Sequence, residues 1–331
     1  MADALPRSRT AALAVAVLLI AAVAALVALL SRGGGAGSGL GPQFTYDVSR
    51  YERTDPRLIG YSEAAAWPVP FAQARGIATG PDSRVYVAGD SAIAVYGAAG
   101  ARQGDIRLPA PAMCLAVEAD AIYAGMTDHV EVLEPTGASR AAWDRLGGKA
   151  RLTSIAVASN AVYVADAGAR EVLRYSKAGE ILGRIRGFIV PSPYLDVAVG
   201  PDGLLRVADP GRHRIETYAA DGSMLSSWGR PSIGMDGFAG CCNPVHFAML
   251  PSGEFVTSEK GLTRCKVCDP AGKLLCVVAG PEAFRRAGDA GAARGPNDAG
   301  GGCDVAVDRA GRVLILDPAA KAVRVFVKKG T

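Results

Sequence analysis

The sequence predicts an all-β fold, a six-bladed β-propeller, preceded by one apolar helix and a glycine-rich linker. Two observations carry this. The segment at residues 195–227, LDVAVGPDGLLRVADPGRHRIETYAADGSMLSS, recurs in degraded form five more times. The unit reads as strand, Pro-Asp-Gly turn, strand ending in Ala-Asp, polar turn with a basic residue, strand, Asp-Gly turn and strand. Units of roughly 40–50 residues made of short strands cannot bury their faces alone, and stacking them around an axis gives a propeller. Spacing is the second observation. Aligning the first strand of each unit places Ile77, Leu115, Ile155, Val197, Phe247 and Val305 at one equivalent position, with steps of 38, 40, 42, 50 and 58 residues.

The elements follow in chain order. Residues 1–10 read as a cytoplasmic N-terminus. Residues 11–30 are 20 uninterrupted apolar positions. At about 1.5 Å per helical residue they span about 30 Å, the thickness of a bilayer core, and read as a transmembrane anchor. A cleaved signal peptide is the alternative, but the run exceeds the usual apolar stretch of about 7–15 residues and no small-x-small site follows it. Arg7 and Arg9 precede the run against Arg32 after it, which points to a propeller on the extracytoplasmic side, periplasmic or extracellular. Residues 31–43, SRGGGAGSGLGPQ, form a flexible tether. The propeller domain is then residues 44–331. Its last unit has only three strands before the chain ends, while an extra extended stretch, DPRLIGYSE at residues 55–63, precedes the first unit. This stretch is expected to close the ring as the outer strand of blade six, pairing with residues 323–327 and limiting exposed sheet edges.

The phrase RVADPGRHRIETY, with weaker relatives VYVADAGAREVLRY and VLILDPAAKAVRVF, resembles the NHL repeat. The resemblance covers about residues 55–328 and is weakest in blade two, where Met126 stands in place of the aspartate at Asp209 of blade four. GFAGCCNP, followed by PSGEFVTSEKGL, is similar to NHL-type sequences of unassigned role. NHL propellers include protein-binding scaffolds, nucleic-acid binders and a few enzymes, so the fold alone selects no function. The net charge of +4 comes without a basic run or an aromatic stripe, which argues against nucleic acid.

Chemistry is expected on the face where the first strands open. Gly76, Cys114, Ser154, Asp196, His246 and Asp304 precede the aligned apolar positions and form a ring at the mouth of the channel. Asp196, His246 and Asp304 come from three consecutive blades and could bind a ligand, hold a divalent cation or act as acid and base. Turn capping or solvated lining is the plainer role. A second set, Asp166, Asp209, Glu259 and Asp317, is expected to cap turns or pair with Arg170, Arg214 or Arg264. Resemblance to the NHL-type amidating lyase would imply zinc on several histidines, but of His129, His213 and His246 only the last lies at the mouth. Resemblance to propeller lactonases would imply a cation on acidic residues, and Gly76 leaves blade one without one.

Two connections are long, residues 229–244 and 280–302, and both lead into blades five and six. Asn243 of the first is a candidate ligand-binding residue. Six of seven cysteines, Cys241, Cys242, Cys265, Cys268, Cys276 and Cys303, fall within 63 residues here. They read as disulfides stapling the loops, as a thiolate metal or redox site, or as small unpaired core residues, which is the role expected of Cys114. No complete set of nucleophile, base and orienting group is present. The favoured function is therefore a membrane-tethered module binding a protein or small-molecule ligand through blades four to six. The alternatives are a cation-dependent hydrolase or lyase and a cysteine-based metal or redox protein.

Overall fold

The computed structural model describes residues 49–285 and 302–330. Six four-stranded antiparallel sheets are arranged as blades. Their innermost strands are Ala74–Thr79, Cys114–Val117, Leu152–Val157, Asp196–Val199, His246–Met249 and Asp304–Val307. All six aligned apolar positions fall within them. Each innermost strand packs against the next around the axis, and the last packs against the first. Second strands such as Val162–Asp166 and Val313–Asp317 are buried at every position because a neighbouring blade covers each face. That is why VYVAD and VLILD read as continuous apolar runs rather than alternating ones. Outer strands such as Ile181–Arg186 are mostly exposed or half-buried.

The core is divided among the interfaces. Each of six apolar clusters joins two adjacent blades, for example Val85, Val87 and Tyr96 of blade one with Leu314, Leu316 and Val323 of blade six. All three tryptophans belong to this system in equivalent places. Trp67, Trp143 and Trp228 lie at the ends of the outer strands of blades six, two and four, and each ring covers a turn glycine of the following blade. Gly100, Gly179 and Gly272 have φ of 88°, 94° and 86°, and a Cβ on any of them would stand 2.2–2.5 Å from the indole. Glycine is required there both for the left-handed turn and for the aromatic contact.

Ring closure occurs as expected, but with a different segment. The outer strand of blade six is Tyr61–Pro68, paired antiparallel with Ala322–Lys328 from Tyr61↔Lys328 to Pro68↔Ala322. Residues 55–63 contribute only their last three positions. Asp55 instead accepts a hydrogen bond from Arg57 N and caps the 3-10 turn Pro56–Leu58. Proline at the first helical position favours that turn, whereas the alanines of YSEAAAWP disguise the strand. Its burial of Tyr61 and Trp67, 3% and 6% exposed, fixes the register.

The expected anchor and tether at residues 11–43 lie outside the described residues. Among the described residues, no helix is long and apolar enough to cross a membrane.

Candidate functional site at the channel mouth

Five of the six ring positions, Cys114, Ser154, Asp196, His246 and Asp304, line the channel, and three of them join neighbouring blades. Innermost strands of adjacent blades do not share a ladder, so their inward amides need other partners. Ser154 Oγ accepts from Val197 N at 3.2 Å, Asp196 Oδ2 accepts from Phe247 N at 2.7 Å, and Asp304 Oδ2 accepts from Ile77 N at 2.8 Å. Each side chain thus reaches the amide that follows the ring residue of the next blade. The other carboxylate oxygens accept locally, Asp196 Oδ1 from Val197 N and Asp304 Oδ1 from Val305 N. At Gly76 a Cβ would come within 3.1 Å of Leu115 and 3.2 Å of the Cys114 backbone.

His246 completes the arc anticipated from sequence. Its Nδ1 lies 3.4 Å from Asp304 Oδ1 and 3.8 Å from Asp196 Oδ2, and Tyr194 meets the imidazole edge-on with centroids 5.5 Å apart. Burial raises the Asp196 carboxyl to about 6 and the Asp304 carboxyl to about 7, and it holds the imidazole below its ordinary value. The cluster can therefore exchange a proton near neutral pH. Among the described residues, no group of three His, Cys, Asp or Glu is disposed to hold a metal ion.

Above the arc opens a cavity of about 350 Å³ lined by Gln73, Arg75, Arg151, Thr153, Tyr194, His246 and other residues from all six blades. Below it the innermost strands enclose about 330 Å³ of channel, and His246 and Asp304 border both spaces. Arg75 Nη2 donates to Gln73 Oε1, while its Nε is buried without a partner. Among the described residues neither the Arg75 nor the Arg151 guanidinium pairs with a carboxylate. Both arginines escaped the sequence reading, which followed the ring position alone. A basic residue immediately beside the ring glycine, Arg75-Gly76, is the signal that could have found the first of them.

The long connection at residues 229–244 is clamped by buried charges. Glu259, fully buried, accepts from Ala239 N at 2.8 Å and pairs with Arg264 and Lys266. Arg264 Nη1 and Nη2 donate to the carbonyls of Ile233 and Gly234 at 2.9 Å. Asn243 is 1% exposed, and its amide is engaged by Ala239 O, Lys260 O and Lys260 N, so it holds the loop. In the second acidic set, Asp166 caps Gly168 N and also takes Arg151 N. Asp209 pairs with Arg212, not Arg214, whose partner is Glu216. Asp317 accepts from Ala320 N. The Glu259–Arg264 pair is as expected, and Arg170 pairs with none of these acids.

All seven cysteines are free thiols, so the anticipated disulfide staples are replaced by the charged clamp. Cys265, Cys276 and Cys303 pack within the core between blades five and six. Burial pushes Cys265 up to about 12 and Cys268 up to about 11 and raises Cys303 as well. The register shifts beside Cys265 and Cys268 place the extra residues on Leu274–Ala279. The strand Arg264–Cys268 therefore stays regular, and side chains three positions apart point to opposite faces. Cys241 and Cys242 differ, with sulfurs 3.0 Å apart on the clamped loop.

No family model matches the chain, and no curated protein matches it. Solved propellers do resemble it. A streptogramin B lyase structure has a TM-score of 0.58 at 12% identity, covering 81% of this chain and 98% of that one. The virginiamycin B lyase of Staphylococcus aureus has a TM-score of 0.53 at 12% identity, covering 77% and 81%. The WD40 propeller domain of Doa1 has a TM-score of 0.55 at 13% identity, covering 78% and 79%. At such identities the likeness establishes the propeller fold and nothing finer.

Proposed function

We propose that the protein is a membrane-tethered propeller of the NHL type that binds a small anionic ligand at its channel mouth. The carrying observation is the pair Arg75 and Arg151, whose guanidinium groups have no carboxylate partner among the described residues, lining one cavity of about 350 Å³. That size lies within the range of small-molecule sites, and guanidinium groups favour carboxylate or phosphate. His246 and Asp304 at the floor add a proton-exchanging contact for a ligand hydroxyl or amine. An acidic side chain of a protein ligand would meet the same two guanidiniums.

Calorimetric titration of the purified protein with inorganic phosphate and citrate tests this reading. Saturable, salt-sensitive binding is expected. Arg151→Ala should weaken it by roughly tenfold or more, since a hydrogen bond to a charged group contributes about 1.5–3 kcal/mol. Absence of saturable binding, or unchanged affinity in both Arg75→Ala and Arg151→Ala, would overturn it.

A cation-dependent hydrolase or lyase is the second reading. It draws on the Asp196, His246 and Asp304 arc and on the lyases among the similar folds. The backbone amides already bonded to both carboxylates weigh against a divalent cation there. The tether and the extracytoplasmic placement rest on residues 11–30 and the flanking arginines. Protease added to intact cells or spheroplasts should degrade the propeller and spare the anchor, and full protection would refute the orientation.

A further inference from the structure

Cys241 and Cys242 are the two sulfurs that the binding reading leaves unused, and their surroundings differ from those of the other five. The pair sits on backbone fixed at both ends, by Ala239 N on Glu259 and by the Asn243 amide. His213 Nε2 holds Gly240 O at 2.7 Å between these anchors. Cys241 is exposed and Cys242 is buried beneath it. Lys260 Nζ donates to Ser192 Oγ at 2.9 Å, and both side chains lie beside Cys242. The same ammonium lies 4.8 Å from the centre of the Tyr194 ring, which lines the mouth cavity.

These contacts give the two sulfurs different chemistry. Burial pushes the Cys242 thiol up, but the hydrogen bond with Cys241 and the Ser192 and Lys260 side chains beside it outweigh burial, so the thiol ends below its ordinary value. The hydrogen bond with Cys242 pushes Cys241 the other way. A lysine beside a cysteine favours the thiolate, the form that attacks sulfur. Cys114, Cys265, Cys268, Cys276 and Cys303 are instead raised by burial, as inert core thiols are.

We propose that Cys241 and Cys242 form a redox-active dithiol, in which exposed Cys241 captures an accessible low-molecular-weight disulfide and Cys242 resolves the adduct. In the first step the Cys241 thiolate attacks R–S–S–R. The substrate S–S bond breaks, a Cys241–S–S–R bond forms, and R–S⁻ leaves to take up a proton. In the second step the Cys242 thiolate attacks Cys241 Sγ, which lies 3.0 Å away, and the second R–S⁻ departs and is protonated. The two cysteines lose two electrons and two protons, and one disulfide is reduced to two thiols. Adjacent Cα atoms across a trans peptide are about 3.8 Å apart, below the usual disulfide range of about 4.4–6.8 Å. A bridge between neighbours is therefore strained and reopens more readily than a structural one, as a cycling pair requires.

The full-length protein, equilibrated with graded ratios of oxidised and reduced glutathione, would be alkylated, digested and read by mass spectrometry. The peptide containing residues 241–242 should convert from two alkylated cysteines to an internal disulfide lighter by two hydrogens than the dithiol. Cys114 and Cys265 should stay reduced throughout. Cys242→Ser should stop at a glutathione adduct on Cys241, and Lys260→Met should slow closure by roughly two- to fivefold, because less of the Cys242 thiol is then ionised while the remaining thiolate is somewhat more nucleophilic. Oxidation that leaves both cysteines alkylatable in the unaltered protein, or that joins either one to another position, would overturn the proposal without recourse to a variant. An unchanged closure rate in a folded Lys260→Met protein would overturn the role of the lysine.

Discussion

Replacing Glu259 with alanine is expected to lower the stability of the propeller by about 3–5 kcal/mol, the cost of removing one partner from a buried ion pair. Glu259 and Arg264 are 0% exposed and Lys266 is 1% exposed, so no solvent is at hand to take over from the lost carboxylate. Glu259 Oε1 lies 2.8 Å from Arg264 Nε and 2.9 Å from Lys266 Nζ, while Oε2 accepts from Arg264 Nη2 at 3.0 Å and from Ala239 N at 2.8 Å. Its removal leaves two buried cations with no anionic partner, only carbonyl oxygens and, for Lys266, the Phe238 ring 4.7 Å away. It also frees the amide that pins the connection at residues 229–244. At about 2–4 °C per kcal/mol for a domain approaching this size, the melting temperature should fall by roughly 6–20 °C. Proteolysis should begin within residues 229–244. Thermal unfolding and limited digestion together check the prediction, and a loss below about 1 kcal/mol would show that the charges are solvated in solution. Replacing all three residues with apolar side chains of similar volume should recover much of the loss, because a buried ion network often contributes little beyond what packing supplies.

The parts of the molecule legible in the sequence were those stated six times over. The ring position before each aligned apolar residue could be read because DVAV, SIAV and HFAM keep one register, and a one-residue slip would turn every strand inside out. Features that occur once, or that depend on two distant segments meeting, were less visible. Lys266 lies in the middle of a strand whose neighbours are apolar, and nothing local shows that a loop some thirty residues earlier in the chain covers its ammonium through Gly237 O. Asp209 caps its turn through Arg212 N, one of the two roles the repeat suggests, but its ion pair is with Arg212 on the turn and not with Arg214, which shares a strand face with Glu216 two residues on. The disulfide reading failed for a similar reason. Clustered cysteines in an exported chain suggest staples, yet three of these cysteines fill a core cluster between two blades and the loop is held by charge. The tryptophan and glycine pairs were legible in principle, since all three tryptophans occupy one place in the repeat.

Among those tryptophans, Trp67 should be the most costly to truncate, because it lies where the two ends of the propeller meet. Blade six draws three strands from the C-terminal end of the chain and its outer strand, Tyr61–Pro68, from the N-terminal end, just before blade one begins at Ala74. The indole stacks on Tyr96 of blade one with centroids 6.2 Å apart and planes at 22°, and it covers Gly100 of the same blade. Trp67→Ala is expected to remove about 3–5 kcal/mol, as for other buried aromatics. It should also weaken the register with Ala322–Lys328, freeing a strand edge that invites association. Trp143 supplies the control. It has the same 6% exposure and covers Gly179 in the equivalent way, but its strand joins blade two in unbroken sequence order. Trp143→Ala should therefore cost similar burial energy yet unfold reversibly as one unit. Trp67→Ala should lose cooperativity and aggregate at lower temperature, as followed by calorimetry and light scattering. Indistinguishable behaviour of the two variants would mean that closure is secured by the backbone ladder alone, and that the indole contributes burial but not the latch.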